Sequence, residues 1–134
     1  MSETLAEIGE IELLNRLKTF MPKGQIDDDT AEINTGLKTL LINTDMSVEG
    51  VHFNEITNYP RNIGWKAITS NISDLASSGV DKVLSITVGL VAPPSTTWEW
   101  VEETYIGMSD ALNEFGGTLI GGDCSQGEQK ILAI

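Results

Sequence analysis

Between Pro60 and Pro94 the apolar residues change period, and that switch restricts the fold more than any other feature of the chain. Ile63, Ala67, Ile68, Ile72, Leu75 and Ala76 recur at three- to four-residue spacing, which predicts an amphipathic helix with Pro60 in its first turn and Gly79 at its C-terminal cap. KVLSITVGLVA follows with alternation, Leu84, Ile86, Val88 and Leu90 on one side and Ser85, Thr87 and Gly89 on the other. That pattern predicts a strand, stopped by Pro93 and Pro94. A helix with one apolar stripe and a strand with one apolar face must bury those surfaces against neighbours, so helices layered on a sheet are expected.

The flanking segments fit the same layers. Leu5, Ile8, Ile11, Leu14 and Leu17 predict an N-terminal helix that Gly9 interrupts and that Pro22 and Gly24 end. LKTLLINTD reads as a strand reaching Asp45, VEGVHF (48–53) as a short extended piece, and TLIGGD as a strand running into a glycine turn. Thr96 and Glu99 form a capping-box pattern ahead of Val101, Tyr105, Met108, Leu112 and Phe115, which predicts a second long helix closed by Gly116. Trp98 and Trp100 are expected to anchor that helix. KILAI opens a further strand where the sequence stops, as in a domain cut from a longer protein. The expected fold is α+β, a layered domain with a mixed or antiparallel sheet covered by two long helices. At 134 residues and 40% hydrophobic, the chain has the length and apolar content of one domain, residues 1–134.

Charge narrows the functional classes. Twenty acidic residues against eight basic ones give a net charge of −12, which argues against nucleic-acid phosphates and anionic membranes as partners. Cys124 is the one cysteine, so no intrachain disulfide forms, and a reducing, cytoplasmic setting is expected. The N-terminus lacks a signal-peptide pattern, and no apolar run reaches membrane-spanning length.

Acidic residues stand where elements are expected to end or meet polar space: Asp27, Asp28 and Asp29 in a row, Asp45, Asp74 and Asp123. Two carboxylates about 4 Å apart repel by about 4 kcal/mol at an effective dielectric near 20, so such crowding is relieved by water or by a cation. Hard cations such as Mg²⁺ take scattered carboxylate oxygens together with waters and substrate phosphates. On residues alone each aspartate is equally a cap or turn residue, since aspartate favours both places. His52 reads as a phosphate contact or a surface residue, Tyr105 as core, Cys124 as a small packed thiol, and Gly121 and Gly122 as a phosphate approach or an ordinary turn. P-loop and GxGxxG patterns are absent.

In order and spacing, several segments resemble the N-terminal domain of the thiamine-monophosphate kinases, within the aminoimidazole ribonucleotide synthetase-like superfamily. GEIELL (9–14) resembles the family's GEFxLI, and IDDDTA (26–31) its GIGDDAA loop. INTDMSVEGVHF (42–53) resembles (I/V)STDxLVEGxHF, NISDLASSG (71–79) resembles NLSDLAAMG, and LIGGDCSQG (119–127) resembles LIGGDTTRG. The resemblance implies ATP-dependent conversion of thiamine monophosphate to thiamine diphosphate by direct in-line transfer, with several Mg²⁺ ions. It implies Asp28, Asp29, Asn43, Thr44, Asp45, Asp74 and Asp123 as metal ligands, with Asp74 as the catalytic, ion-bridging residue. His52 is implied as the substrate contact, and Tyr105, Gly122 and Asp123 as positions near ATP. A homodimer paired through the sheet is implied, as is a C-terminal domain without which residues 1–134 are expected to be nearly inactive. Asp27 replaces a family glycine, Asn43 a serine, Cys124 a threonine and Gln126 an arginine. The alternatives are another ATP-using enzyme of the superfamily, expected to lack VEGVHF, and a non-catalytic acidic metal-binding or dimerisation module.

Overall fold

The computed structural model describes residues 3–23 and 30–134, which fall into two compact units divided after Ile42. The first unit begins with helix α1 (Leu5–Leu17), continued by a 3-10 turn at Lys18–Phe20. Glu7 opens α1 by accepting from the Thr4 amide and hydroxyl at 2.7 and 2.9 Å. The break foreseen at Gly9 is present: its φ of +71° lies in the region glycine tolerates, and it interrupts the helical backbone. No residue of α1 is buried, and Ile11 is 80% exposed, so the apolar stripe lies open along the helix. Strands β1 (Ala31–Asn34) and β2 (Thr39–Ile42) form an antiparallel hairpin. Asn34 Oδ1 caps its turn by accepting from the Gly36 amide at 2.8 Å. The strand expected to reach Asp45 stops at Ile42, where its pairing partner β1 begins.

The second unit holds a mixed sheet with two helices. Its strands are β3 (Met46–Val48), β4 (Ile86–Ala92), β5 (Leu119–Gln126) and β6 (Ile131–Ala133), in the spatial order β3, β6, β4, β5. β6 is antiparallel to both β3 and β4, whereas β4 and β5 are parallel. Helix α2 (Pro60–Ser77) connects β3 to β4, and helix α3 (Trp98–Phe115) connects β4 to β5. Both long helices match the sequence periods. Their apolar faces, Ile63, Ala67 and Ile68 from α2 and Trp100, Met108, Ala111 and Leu112 from α3, share one core with Ile86, Val88, Leu90 and Leu132 of the sheet. Full burial of the isoleucine, leucine, valine and methionine side chains among them contributes about 1.5–3 kcal/mol each, so this cluster is the main support of the unit.

The two helices cross at glycines. A Cβ on Gly64 would run into the carbonyl of Thr104, and one on Gly107 into the carbonyl of Arg61, so the backbones meet directly. Beside the crossing, Arg61 donates to Asp110 at 2.7 Å.

Several element ends differ from the sequence reading. The cap of α3 is Thr97, whose hydroxyl oxygen accepts from the Trp100 amide at 3.2 Å; the buried hydroxyl of Thr96 finds no partner among the described residues. Trp100 is buried, as an anchor would be, whereas Trp98 is 72% exposed. β4 begins at Ile86, because its pairing with β5 begins there, leaving Leu84 outside the sheet and 60% exposed. VEGVHF is extended only to Val48 and then turns. The glycines of TLIGGD form strand rather than turn: β5 runs through Gly121 and Gly122 with a register shift near Thr87. A side chain at Gly122 would strike the Val88 backbone, so glycine is what allows the two strands this approach.

Candidate functional site

The segment Asn43–Asp45 joins the sheet to α2. The Asp45 backbone exchanges two hydrogen bonds with Ile134, at 3.2 and 3.0 Å, and the Thr44 hydroxyl donates to the same Ile134 carbonyl at 2.9 Å. Asn43 Nδ2 donates to the Asn71 carbonyl of α2 at 3.2 Å. Asp74 lies three residues further along α2, so its side chain neighbours that of Asn71. Asn71 is buried; its Nδ2 donates to the Ala67 carbonyl, and its Oδ1 has no partner among the described residues. Asp45 Oδ1 accepts from the Met46 amide at 2.9 Å, which fixes the carboxylate at the start of β3.

His52 sits on a tight loop beyond β3. Its amide donates to the Val48 carbonyl at 2.8 Å, and its Nδ1 accepts from the Val48 amide at 3.1 Å. An accepting Nδ1 leaves Nε2–H as the ring's donor. Lys66 of α2 donates to the His52 carbonyl at 3.2 Å. The next residue, Phe53, is buried and stacks on Trp100 with ring centroids 6.4 Å apart. Lys130 lies over the other partner of that stack, its Nζ 5.3 Å from the Trp100 ring centroid, and pairs with Glu55 at 2.8 Å and Glu49 at 3.4 Å. Burial pulls the Lys130 ammonium down, but the two carboxylates outweigh it and hold the group above its ordinary 10.5.

Gly122 and Asp123 lie on β5, an edge strand exposed from Ile120 to Gln126. Asp123 pairs in register with Gly89, and its carboxylate accepts from the Ser125 hydroxyl at 3.4 Å, on the sheet face turned away from the helices. Cys124 points to the opposite face, toward Tyr105 of α3. Burial raises the Tyr105 phenol above its ordinary 10.0, and Cys124 raises it further.

The structure thus ties Asn43 to α2 one turn before Asp74, ties Thr44 and Asp45 to the end of β6 at Ile134, and links His52 to α2 through Lys66. It does not bring Asp123 to Asp45 within the sheet: they lie on opposite edge strands, three strand spacings or roughly 14 Å apart. Asp28 and Asp29 lie outside the described residues. The candidate donors are oxygens, the kind Mg²⁺ takes, and the Oδ1 of Asn71, without a partner among the described residues, adds another, so the residues suit that ion in donor chemistry. Among the described residues, no three His, Cys, Asp or Glu come close enough to form an ion site by themselves. No helix among those residues is long and apolar enough to cross a membrane.

Sequence reading missed Lys130, Glu49, Glu55 and Lys66. Its available signal was a lone lysine entering an apolar strand of an acidic chain, with two glutamates flanking VHF.

Residues 27–134 match the family model described as AIR synthase related protein, N-terminal domain. The chain is 60% identical over 132 residues to a thiamine-monophosphate kinase of Prochlorococcus marinus, covering 98% of this chain and 40% of that protein. It is 37% identical to one of Synechococcus elongatus, with the same coverage of each. A solved structure described as AaThiL complexed with AMPPCP and TMP superposes with a TM-score of 0.88 at 32% identity, covering 99% of this chain and 42% of that one. The chain therefore spans about 40% of the length of the curated relatives it matches.

Proposed function

We propose, from the premise that the chain belongs to the AIR synthase related protein family, that residues 1–134 are one N-terminal domain of an ATP-dependent kinase converting thiamine monophosphate to thiamine diphosphate. The observation that carries this reading is the 60% identity, over 98% of the chain, to a protein named thiamine-monophosphate kinase. The neighbour complexed with AMPPCP and TMP supports ATP as donor and thiamine monophosphate as acceptor. The transfer is direct and in line, with no phosphoenzyme.

His52 is the substrate contact, offering Nε2–H to a phosphate oxygen because Nδ1 is engaged by the Val48 amide. Tyr105, Gly122 and Asp123 serve the nucleotide. Asp28, Asp29, Asn43, Thr44, Asp45, Asp74 and Asp123 are the proposed Mg²⁺ ligands. Bound Mg²⁺ would neutralise phosphate charge, which together with positioning is most of what phosphoryl transfer requires of a protein. Asp74 is held on a rigid helix next to the Asn71 that anchors Asn43, so it fixes the donor set against the sheet. The enzyme is cytoplasmic and acts as a homodimer paired through the sheet face that bears Asp123, which places that residue near the subunit interface.

The test is Asp74→Asn in the full-length chain. Turnover is expected to fall by about a hundredfold or more, as when a group stabilising transition-state charge is lost, and its Mg²⁺ dependence to change. Unaltered turnover and Mg²⁺ response would overturn the assignment.

A further inference from the structure

Lys130 connects parts of the structure that the proposed chemistry needs held together. Its side chain is only 11% exposed, and its Nζ bridges Glu49 and Glu55, the residues on either side of the turn that carries His52. The backbone adds to the bridge: the Glu49 amide donates to the Lys130 carbonyl at 2.9 Å, and the Lys130 amide donates to Glu49 Oε2 at 3.1 Å. The ammonium also lies over the Trp100 ring on which Phe53 stacks, so one cation contacts both stems of the loop and the ring its apolar residue packs on. Asn54 folds the far stem back, its Oδ1 accepting from the Ile56 and Thr57 amides at 3.1 and 2.9 Å. Of residues 50–59 all but Phe53 and Asn58 are exposed, so this clamp and the Phe53–Trp100 stack are what tie the loop to β6 and α3, beside the Lys66 bond from α2 to the His52 carbonyl.

We infer that Lys130 is a positioning residue: by clamping Glu49 and Glu55 it holds the loop so that His52 faces the acceptor phosphate. The inference rests on the reading of His52 as the substrate contact. Without the cation, two glutamates and a buried indole lose their shared partner, and the turns of the 49–55 loop, in which the Gly50 amide donates to the Phe53 carbonyl and the His52 amide to the Val48 carbonyl, open more often and hold His52 less firmly. Arginine, which is also cationic and stacks on aromatic faces, can occupy the same place.

The experiment compares the full-length wild type with Lys130→Met and Lys130→Arg by amide hydrogen exchange and by steady-state kinetics. In Lys130→Met the amides of Gly50 and His52 are expected to exchange about tenfold faster, the scale of one lost charge-assisted contact, while the amides of α2 and α3 are unchanged. The KM for thiamine monophosphate is expected to rise about tenfold with the KM for ATP and kcat nearly unchanged, and Lys130→Arg to restore both readouts. Unchanged exchange at Gly50 and His52 overturns the clamp. So does faster exchange throughout α2 and α3, or faster loop exchange with unaltered KM. If the wild type does not phosphorylate thiamine monophosphate, the functional reading falls, and the exchange data still decide whether Lys130 holds the loop.

Discussion

At the scale of single residues, the sequence identified types and the structure supplied their surroundings. Asp45 and Asp74 were legible as candidates because a strand end and a helix stripe can be read locally, whereas Asn43 came only with the family resemblance; in the structure Asn43 docks onto the helix that bears Asp74, and Asp45 is tied to Ile134. Lys130 was not legible, because its partner Glu49 lies 81 residues away and no local pattern connects them. The α3 cap was misplaced by one residue because Thr96 and Thr97 both suit the role and only backbone direction decides between them. Tyr105 gives a prediction at this scale. An unfolded chain releases the phenolic proton near 10.0, whereas the folded chain retains it to higher pH, so the unfolded state binds fewer protons in that window. This group therefore leaves stability unaffected below pH 10.0 and lowers it as pH climbs toward the raised value. With Tyr59→Phe removing the other tyrosine, phenolate absorbance should show a midpoint above 10.0; one at or below 10.0 would contradict the burial of Tyr105 against the Cys124 side of the sheet.

At the scale of elements, period was a sound guide wherever an element buries one face of its own. Both long helices and the body of β4 followed from spacing alone. Strand ends did not, because they depend on where a partner begins: β2 stops with β1, and Leu84 has no partner on β5. β5 was foreshortened because glycine pairs usually signal turns, whereas here they permit close pairing with Val88. The crossing of α2 and α3 depends on glycine in the same way. Alanine is the better helix former by about 1 kcal/mol. Gly64→Ala and Gly107→Ala should nevertheless lower the free energy of unfolding by about 1–3 kcal/mol, because each added methyl meets a carbonyl of the facing helix. Urea unfolding measures this, and equal or greater stability would show that the backbones do not meet as described.

At the scale of the whole molecule, two helices cover one face of the four-stranded sheet, and no element of that unit covers the other. Thr87, Val91, Ile131 and Ala133 occupy that second face, beside Met46 and Asp123. If the proposed homodimer forms there, Thr87→Arg places a like charge from each copy in the contact. The full-length variant should then sediment as a monomer while Thr87→Ser stays dimeric; an unaffected Thr87→Arg dimer would locate the interface elsewhere. The strand order carries a different consequence, for how the molecule is made. β6 lies between β3 and β4, yet follows both in sequence. During synthesis from the N-terminus, β3 and β4 must wait as two open edges until β6 has left the ribosome, while α2 and α3, nearer in sequence, can already pair. The nascent chain thus passes through a stage with a gap in the middle of its sheet, the stage at which it is most open to pairing with another chain and most in need of a chaperone.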